Sequence, residues 1–264
     1  MANAATGRGW MLGLVVACAL VVGCGPSRPP APIVPAVPPL RVGVSPGSAP
    51  LVFLREGRVV GLEADFAQRF ADELGRPLRF VKLEWGQLIP ALLDGRIDVI
   101  MSGMTATESR SVRVVFSDPY LQSGLLALIR RGDAQKLSSA KAIVDNLPQI
   151  GVKEGTTAEA FVRDRFQWNE VSLYPTSTAA VTELLQRRID VYVSDAPIIV
   201  WQASAHDGEL MPMRKLLTQE QLAWAFRRDD AALLANANAM LARMQADGSL
   251  AQTVRRWLPY WPGL

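Results

Sequence analysis

Cysteine is almost missing from this chain of 264 residues: there are two, Cys18 and Cys24, and both fall within the first two dozen positions. The rest of the chain therefore excludes a disulfide framework, a thiolate nucleophile and a thiolate metal site. Histidine occurs once, as His206, in an Ala-His-Asp-Gly stretch that reads as an exposed turn. No metal cluster, phosphate-cradling loop or nucleophile–base pair can be assembled from the motifs present, so no cofactor is expected. A strong charge of one sign is also absent. Lys and Arg number 28 against 25 Asp and Glu, the net charge is +3, and the arginines are scattered. That distribution leaves no nucleic-acid footprint. Finally, the most apolar run, residues 10–22, is too short to cross a bilayer comfortably.

What is present can build a core. Hydrophobic residues make up 49% and charged residues 20%, and the length suits one large domain or two small lobes. The first residues read as a targeting segment: Arg8, the apolar run, then Val-Val-Gly-Cys ending at Cys24. Small residues before a cysteine are similar to the bacterial lipoprotein signal. The expectation is a signal peptide over 1–23, with Cys24 lipidated as the mature N-terminus; an ordinary signal peptide cut nearby is the alternative. Residues 24–39 then form a tether, since 25–39 carries seven of the 18 prolines. Such a stretch favours extended polyproline II, and at about 3.1 Å per residue it reaches up to roughly 45 Å. A lipid anchor and stiff tether place the folded part at a membrane surface in the cell envelope or periplasm.

Hydrophobic periodicity divides the remainder into two similar halves. The first reads as a strand at Leu40–Val44, a helix over 63–74, a strand over 78–83, a helix over 85–93 and a buried strand over 97–101. The second repeats the order: strand 149–152, helix 157–166, strand Val171–Tyr174, helix 178–186, strand 189–193. A strand over 223–226, a helix over 230–245 and a last helix ending near Trp257 follow. Strands alternating with helices imply parallel βαβ units. The expected fold is α/β and two-lobed, each lobe a mostly parallel sheet flanked by helices. Lobe 1 is expected over 40–121 plus 222–264 and lobe 2 over 122–221. The chain crosses between them near 120–124 and again before Ala223, which makes a two-segment hinge suited to closure around a ligand.

The halves share a phrase. Leu-Leu-Asp-Gly-Arg-Ile-Asp-Val-Ile-Met-Ser-Gly (92–103) returns as Leu-Leu-Gln-Arg-Arg-Ile-Asp-Val-Tyr-Val-Ser-Asp (184–195), a helix, a turn and a strand. Ligands in parallel sheets sit outside the carboxyl ends of strands, so the differing last letters fall where binding happens. After Ser102, Gly103 permits close backbone approach, Thr105 offers a hydroxyl, and Arg110 offers a planar fork for a carboxylate. In the second half Thr156 and Thr157 stand at a helix start, which favours an anion or serves as a simple N-cap. Arg110 taken alone reads more commonly as a surface ion pair. Asp195 suits a cation such as an ammonium group, or caps the helix that Pro197 begins.

These residues belong to a wider set: Gly61-Leu-Glu-Ala-Asp65, Trp85-Gly-Gln-Leu-Ile-Pro90, Gly95-Arg-Ile-Asp-Val99, Ser102-Gly-Met-Thr-Ala-Thr-Glu-Ser-Arg110, Phe116-Ser-Asp-Pro-Tyr120, Gly155-Thr-Thr157 and 190–195. In that order they resemble the polar-amino-acid-binding branch of the periplasmic solute-binding proteins, which serve ABC importers, over about 40–257. The resemblance implies that Arg110 holds a ligand α-carboxylate, helped by Gly103, Thr105 and Thr157. It implies that Asp195 holds the α-ammonium and that Trp85 packs on the ligand, unless Trp85 is a core residue. Ser102, Thr156, Ser45 and Ser48 complete the expected lining. The implied partners are a small amino acid, ABC permease subunits and, through the anchor, a membrane; the expected state is a monomer.

Departures narrow the ligand. After the first strand many relatives carry an acid and then an aromatic, where this chain reads Ser45-Pro-Gly-Ser48-Ala-Pro-Leu51. Cationic side chains lose a partner there, which favours a small polar or apolar amino acid. Two alternatives stand beside the binder. One is an enzyme like the cyclohexadienyl-acid dehydratases of the superfamily, mildly echoed by Trp257-Leu-Pro-Tyr-Trp261. Against it, the residues after Asp195, Ala196-Pro-Ile-Ile199, contain no acid or base. The other is a sensor acting through a partner receptor.

Overall fold

A computed structural model describes residues 37–259 and 261; the expected signal peptide, Cys24 and most of the proline-rich tether lie outside the described residues. Two five-stranded sheets dominate the rest. In the first, strands Leu78–Lys82, Leu40–Val44, Val99–Ile100, Ala225–Phe226 and Val115–Phe116 lie side by side. In the second the order is Val171–Tyr174, Ile150–Lys153, Val191–Asp195, Leu125–Arg130 and Leu210–Pro212. Each begins with three parallel strands, and one reversed strand follows: Ala225–Phe226 in the first sheet, Leu125–Arg130 in the second.

The repeated phrase explains why the sheets match. Ile97 reaches across Gly43 of the neighbouring strand, so close that a Cβ there would sit 2.3 Å from its Cδ1; Ile189 does the same over Gly151, at 2.4 Å. Only a residue without a side chain admits that crossing, because interiors pack without slack. The following aspartate pins the neighbouring strand's start. Asp98 Oδ2 accepts the Arg41 N–H at 2.9 Å, and Asp190 Oδ2 accepts the Gln149 N–H at 3.1 Å. Gly95 and Arg187, just before the phrase's Arg-Ile-Asp, both turn left-handed, at φ 66° and 61°. Shared sequence here means shared joinery.

Some elements differ from the sequence reading. The helix expected over 85–93 opens as a 3₁₀ turn, Trp85–Gln87, before Leu88–Leu93. The strand expected over 97–101 pairs as a ladder only at Val99–Ile100, although the Asp98 and Met101 N–H groups still donate to Arg41 and Gly43. The second-half strand runs Val191–Asp195, later than 189–193, because Asp195 still pairs with Leu125.

Apolar burial holds each sheet to its helices. Phe66 and Phe70 of helix Leu62–Glu73 pack with Tyr120 and Trp224, with Phe66–Trp224 centroids 5.5 Å apart and Tyr120–Trp224 stacked at 5.7 Å. Full burial of such side chains contributes about 1.5–3 kcal/mol each. A separate cluster under the second sheet gathers Leu128, Ile150, Val181, Leu184 and Tyr192. Between the sheets run two short antiparallel strands, Leu121–Ser123 and Glu220–Leu222, which form the hinge.

Candidate functional site

Chain direction puts the carboxyl ends of both parallel strand sets against one cleft. Ser48, Leu51, Trp85, Ser102, Gly103, Thr105 and Arg110 line it from the first sheet's side. Lys153, Thr156, Thr157, Ser194, Asp195 and Ile198 line it from the second. Ser45 borders it through a hydrogen bond from Lys153 Nζ, at 3.3 Å. The cavity left between them measures about 20 Å³, room for about one water. Contacts across it hold the lobes together: Trp85 Nε1 donates to the Gly155 carbonyl at 2.9 Å, and Arg110 reaches the same oxygen at 3.4 Å.

Arg110 stands on the short helix Glu108–Ser111, capped by the Thr107 hydroxyl. It has no carboxylate within ion-pair distance among the described residues. Its guanidinium donates to the Thr105 carbonyl at 2.9 Å and lies 5.4 Å from the Trp85 ring centroid. Burial lowers its pKa, partly offset by Asp195 and Glu220.

Asp195 ends its strand and precedes helix Ala196–Ala205, yet its side chain makes no capping bond. Its Oδ1 is buried and has no hydrogen-bond partner among the described residues. Burial first, then repulsion from Glu220, raises its pKa to about 7, with Arg110 and Lys153 pulling the other way. A cavity-lining carboxyl with one buried, unpartnered oxygen is equipped to meet a donor.

Other expected site residues are already engaged. Gly103, at φ 68°, gives its N–H to the buried carboxyl of Glu63. That carboxyl also accepts from Tyr120 Oη at 2.7 Å and Trp224 Nε1 at 2.9 Å. The Ser102 hydroxyl accepts the Ser45 N–H at 2.9 Å. Thr156 behaves as a cap: it donates to the Lys153 carbonyl at 2.6 Å and accepts from the Glu159 N–H. Thr105 and Thr157 both donate to Glu220. His206 closes helix Ala196–Ala205 and lines no part of the cleft. Trp257 and Trp261 are also remote from it, lining an apolar groove with Leu126, Val200 and Met213.

Lys153 and Glu220 escaped the sequence reading. Lys153 ends the strand Ile150–Lys153, and the strand-end rule that found Asp195 covers it too. Its position matches Ser45 in the first half, one residue beyond each lobe's opening strand core. Glu220 carried no local signal, since a hinge strand of three residues has no periodicity to read.

Two α/β lobes on a two-strand hinge, with a polar cleft between them, define a periplasmic-type solute-binding protein. The chain belongs to the bacterial extracellular solute-binding proteins, family 3, whose pattern matches residues 40–260. It is 28% identical over 219 residues to the L-cystine-binding protein TcyJ of Escherichia coli (strain K12), covering 83% of this chain and 82% of that one. It is 26% identical over 227 residues to the cyclohexadienyl dehydratase of Pseudomonas aeruginosa, covering 84% of each. Among solved structures it resembles the ancestral amino acid-binding protein AncCDT-1, a precursor of cyclohexadienyl dehydratase. There the TM-score is 0.78 and identity 31%, with 83% of this chain and 94% of that chain covered.

Proposed function

We propose that this protein binds a small α-amino acid by closing its lobes around it, and hands it to an ABC importer at the membrane. The carrying observation is that Arg110 and Asp195 face one cavity from opposite lobes, the latter with a buried oxygen lacking a partner. An α-carboxylate on Arg110 and an α-ammonium on Asp195 would complete both groups with charge-assisted bonds. Those bonds gain strength as closure excludes water. The cavity of about 20 Å³ is too small for an amino acid, so entry requires an opened form and rearranged side chains. Ser45 and Ser48 supply no anion, and Lys153 supplies a like charge, so a cationic side chain is disfavoured. Lipidation at Cys24, with the proline-rich tether beyond it, would hold the domain beside its permease.

The test is a thermal-shift screen of the chain against the twenty amino acids and a set of cyclohexadienyl acids. A ligand present at 100 times its Kd adds about 2.7 kcal/mol to stability, an easily read shift. The second reading is a dehydratase, favoured by the Pseudomonas relative and by the titratable groups gathered in the cleft. Shifts with cyclohexadienyl acids and none with amino acids would select it.

A further inference from the structure

Thr105 and Thr157 stand on opposite lobes, yet both hydroxyls donate to a single atom. Oε2 of Glu220 accepts them at 2.8 and 3.1 Å. Its other oxygen accepts from Thr218 at 3.0 Å, and Thr218 in turn accepts the Leu125 N–H at 2.8 Å. Glu220 begins the hinge strand Glu220–Leu222, which pairs with Leu121–Ser123. That strand is also fastened to the first lobe, where Ala106 N–H donates to the Gln221 carbonyl at 3.0 Å. The carboxylate therefore grows out of the hinge and ends between the two lobes. Arg110 is close enough for its charge to act on both Glu220 and Asp195.

Those donors are the same ones assigned above to the ligand's carboxylate. We propose that Glu220 is an internal stand-in for that carboxylate: it fills the anion seat when the lobes close without ligand, and a ligand binds by displacing it. The proposal rests on reading the cleft as an amino-acid site. Without Glu220, closure would bury the Thr105 and Thr157 hydroxyls with no acceptor between them, and unsatisfied buried donors oppose closure. With it, both threonine hydroxyls have an acceptor. Opening pulls Thr105 and Thr157 apart, so one carboxylate oxygen cannot keep both. Glu220 thus latches the closed form and competes with the ligand.

The competition has a chemical consequence. A ligand must bring an anion able to take over Thr105 and Thr157 from Glu220. An amine lacking a carboxylate leaves Glu220 seated, and would instead be attracted by Glu220 and Asp195 together. The two possibilities predict opposite signs for one substitution. If Glu220 is a competitor, removing its charge tightens binding; if it is an ammonium partner, removing it weakens binding.

The experiment compares the full chain with Glu220→Gln, which keeps size, and Glu220→Ala, which removes the acceptor. Calorimetric titration with each of the twenty amino acids reads affinity, and small-angle scattering without ligand reads lobe opening. The expected result is at least tenfold tighter binding in both variants, with a larger ligand-free radius of gyration in Glu220→Ala. Weaker or unchanged affinity overturns the proposal. If no amino acid binds any form, the reading of the cleft has failed, and scattering alone decides the latch. An unchanged radius in Glu220→Ala then overturns it, whereas an increased radius supports it.

Discussion

The Lys153 ammonium lies 4.9 Å from the centroid of the Trp85 ring, and the two side chains come from opposite lobes. Arg110 approaches the same ring at 5.4 Å, so Trp85 is flanked by two cations. Lys153 is therefore a contact of closure as well as a cleft-lining charge. Cation–π contacts of this kind contribute about 0.5–2 kcal/mol depending on desolvation.

Burial lowers the Lys153 pKa to about 8 from 10.5, with Asp195 and Glu84 resisting. A base depressed in the folded state costs stability below its folded pKa, and the cost fades as pH rises towards the unfolded value. Stability of the ligand-free protein is thus expected to rise between about pH 8 and 10.5 through this group, by up to about 3 kcal/mol. Lys153→Met should flatten that rise and raise the melting temperature at pH 7. Calorimetric melts of both forms at pH 7, 8 and 9 check it; parallel curves would remove Lys153 as the cause.

Arg110→Ala should abolish amino-acid binding in practice, with Kd rising by at least a hundredfold, because the fork that pairs with a carboxylate is gone. Arg110→Lys should recover only part of it, since a point charge lacks the planar pair of donors. Titration with whichever amino acid shifts the wild-type melt measures both. An unchanged Kd would take Arg110 out of the site.

Burial and then Glu220 raise the Asp195 pKa to about 7, and an ammonium ligand requires it ionised. Affinity should therefore fall as pH drops through 7, by about tenfold per pH unit below that value. Asp195→Asn should bind weakly at every pH and lose this slope. A wild-type Kd that stays constant from pH 8 to 5.5 contradicts the ammonium role.

Glu63 makes a separate prediction about stability. Its carboxyl is wholly buried beneath Tyr120 and Trp224, and burial outweighs their hydrogen bonds to raise its pKa to about 7 from 4.5. The folded state then binds the proton more tightly, so this group's stabilisation is complete below pH 4.5 and is lost as pH rises towards 7. The loss is about 3 kcal/mol at most. Glu63→Gln should remove that decline, yet lower stability at pH 5 by about 1–3 kcal/mol, since its amide NH₂ faces donors. Denaturant titrations at pH 5 and 7.5 read both effects.

Much of the fold was legible because its signals are local. Alternation of strand and helix, the phrase at 184–195 echoing 92–103, and the glycines punctuating it predicted the parallel strands and their order in each half. The reversed strand Leu125–Arg130 was not read, since its six residues are buried throughout and so show no alternation. At the site, the strand-end rule brings Ser102, Gly103, Thr105, Arg110, Thr157 and Asp195 to one cleft, and Trp85 comes only from the family resemblance. The roles of their polar groups were not legible. Gly103 suggests only a close backbone approach, and its N–H turns to Glu63 because helix Leu62–Glu73 packs that carboxyl beneath it.

The sequence by itself determined the scaffold. Ile over Gly, and Asp on an N–H near a strand's start, are choices that a short phrase and one neighbouring strand can specify, and the chain specifies them twice. Only the tertiary structure decided how the cleft is filled. Glu220 lies 115 residues from Thr105 and 63 from Thr157. No local pattern joins them; they meet because two hinge strands pair and two lobes close, and a buried hydroxyl must then find whatever acceptor that closure delivers.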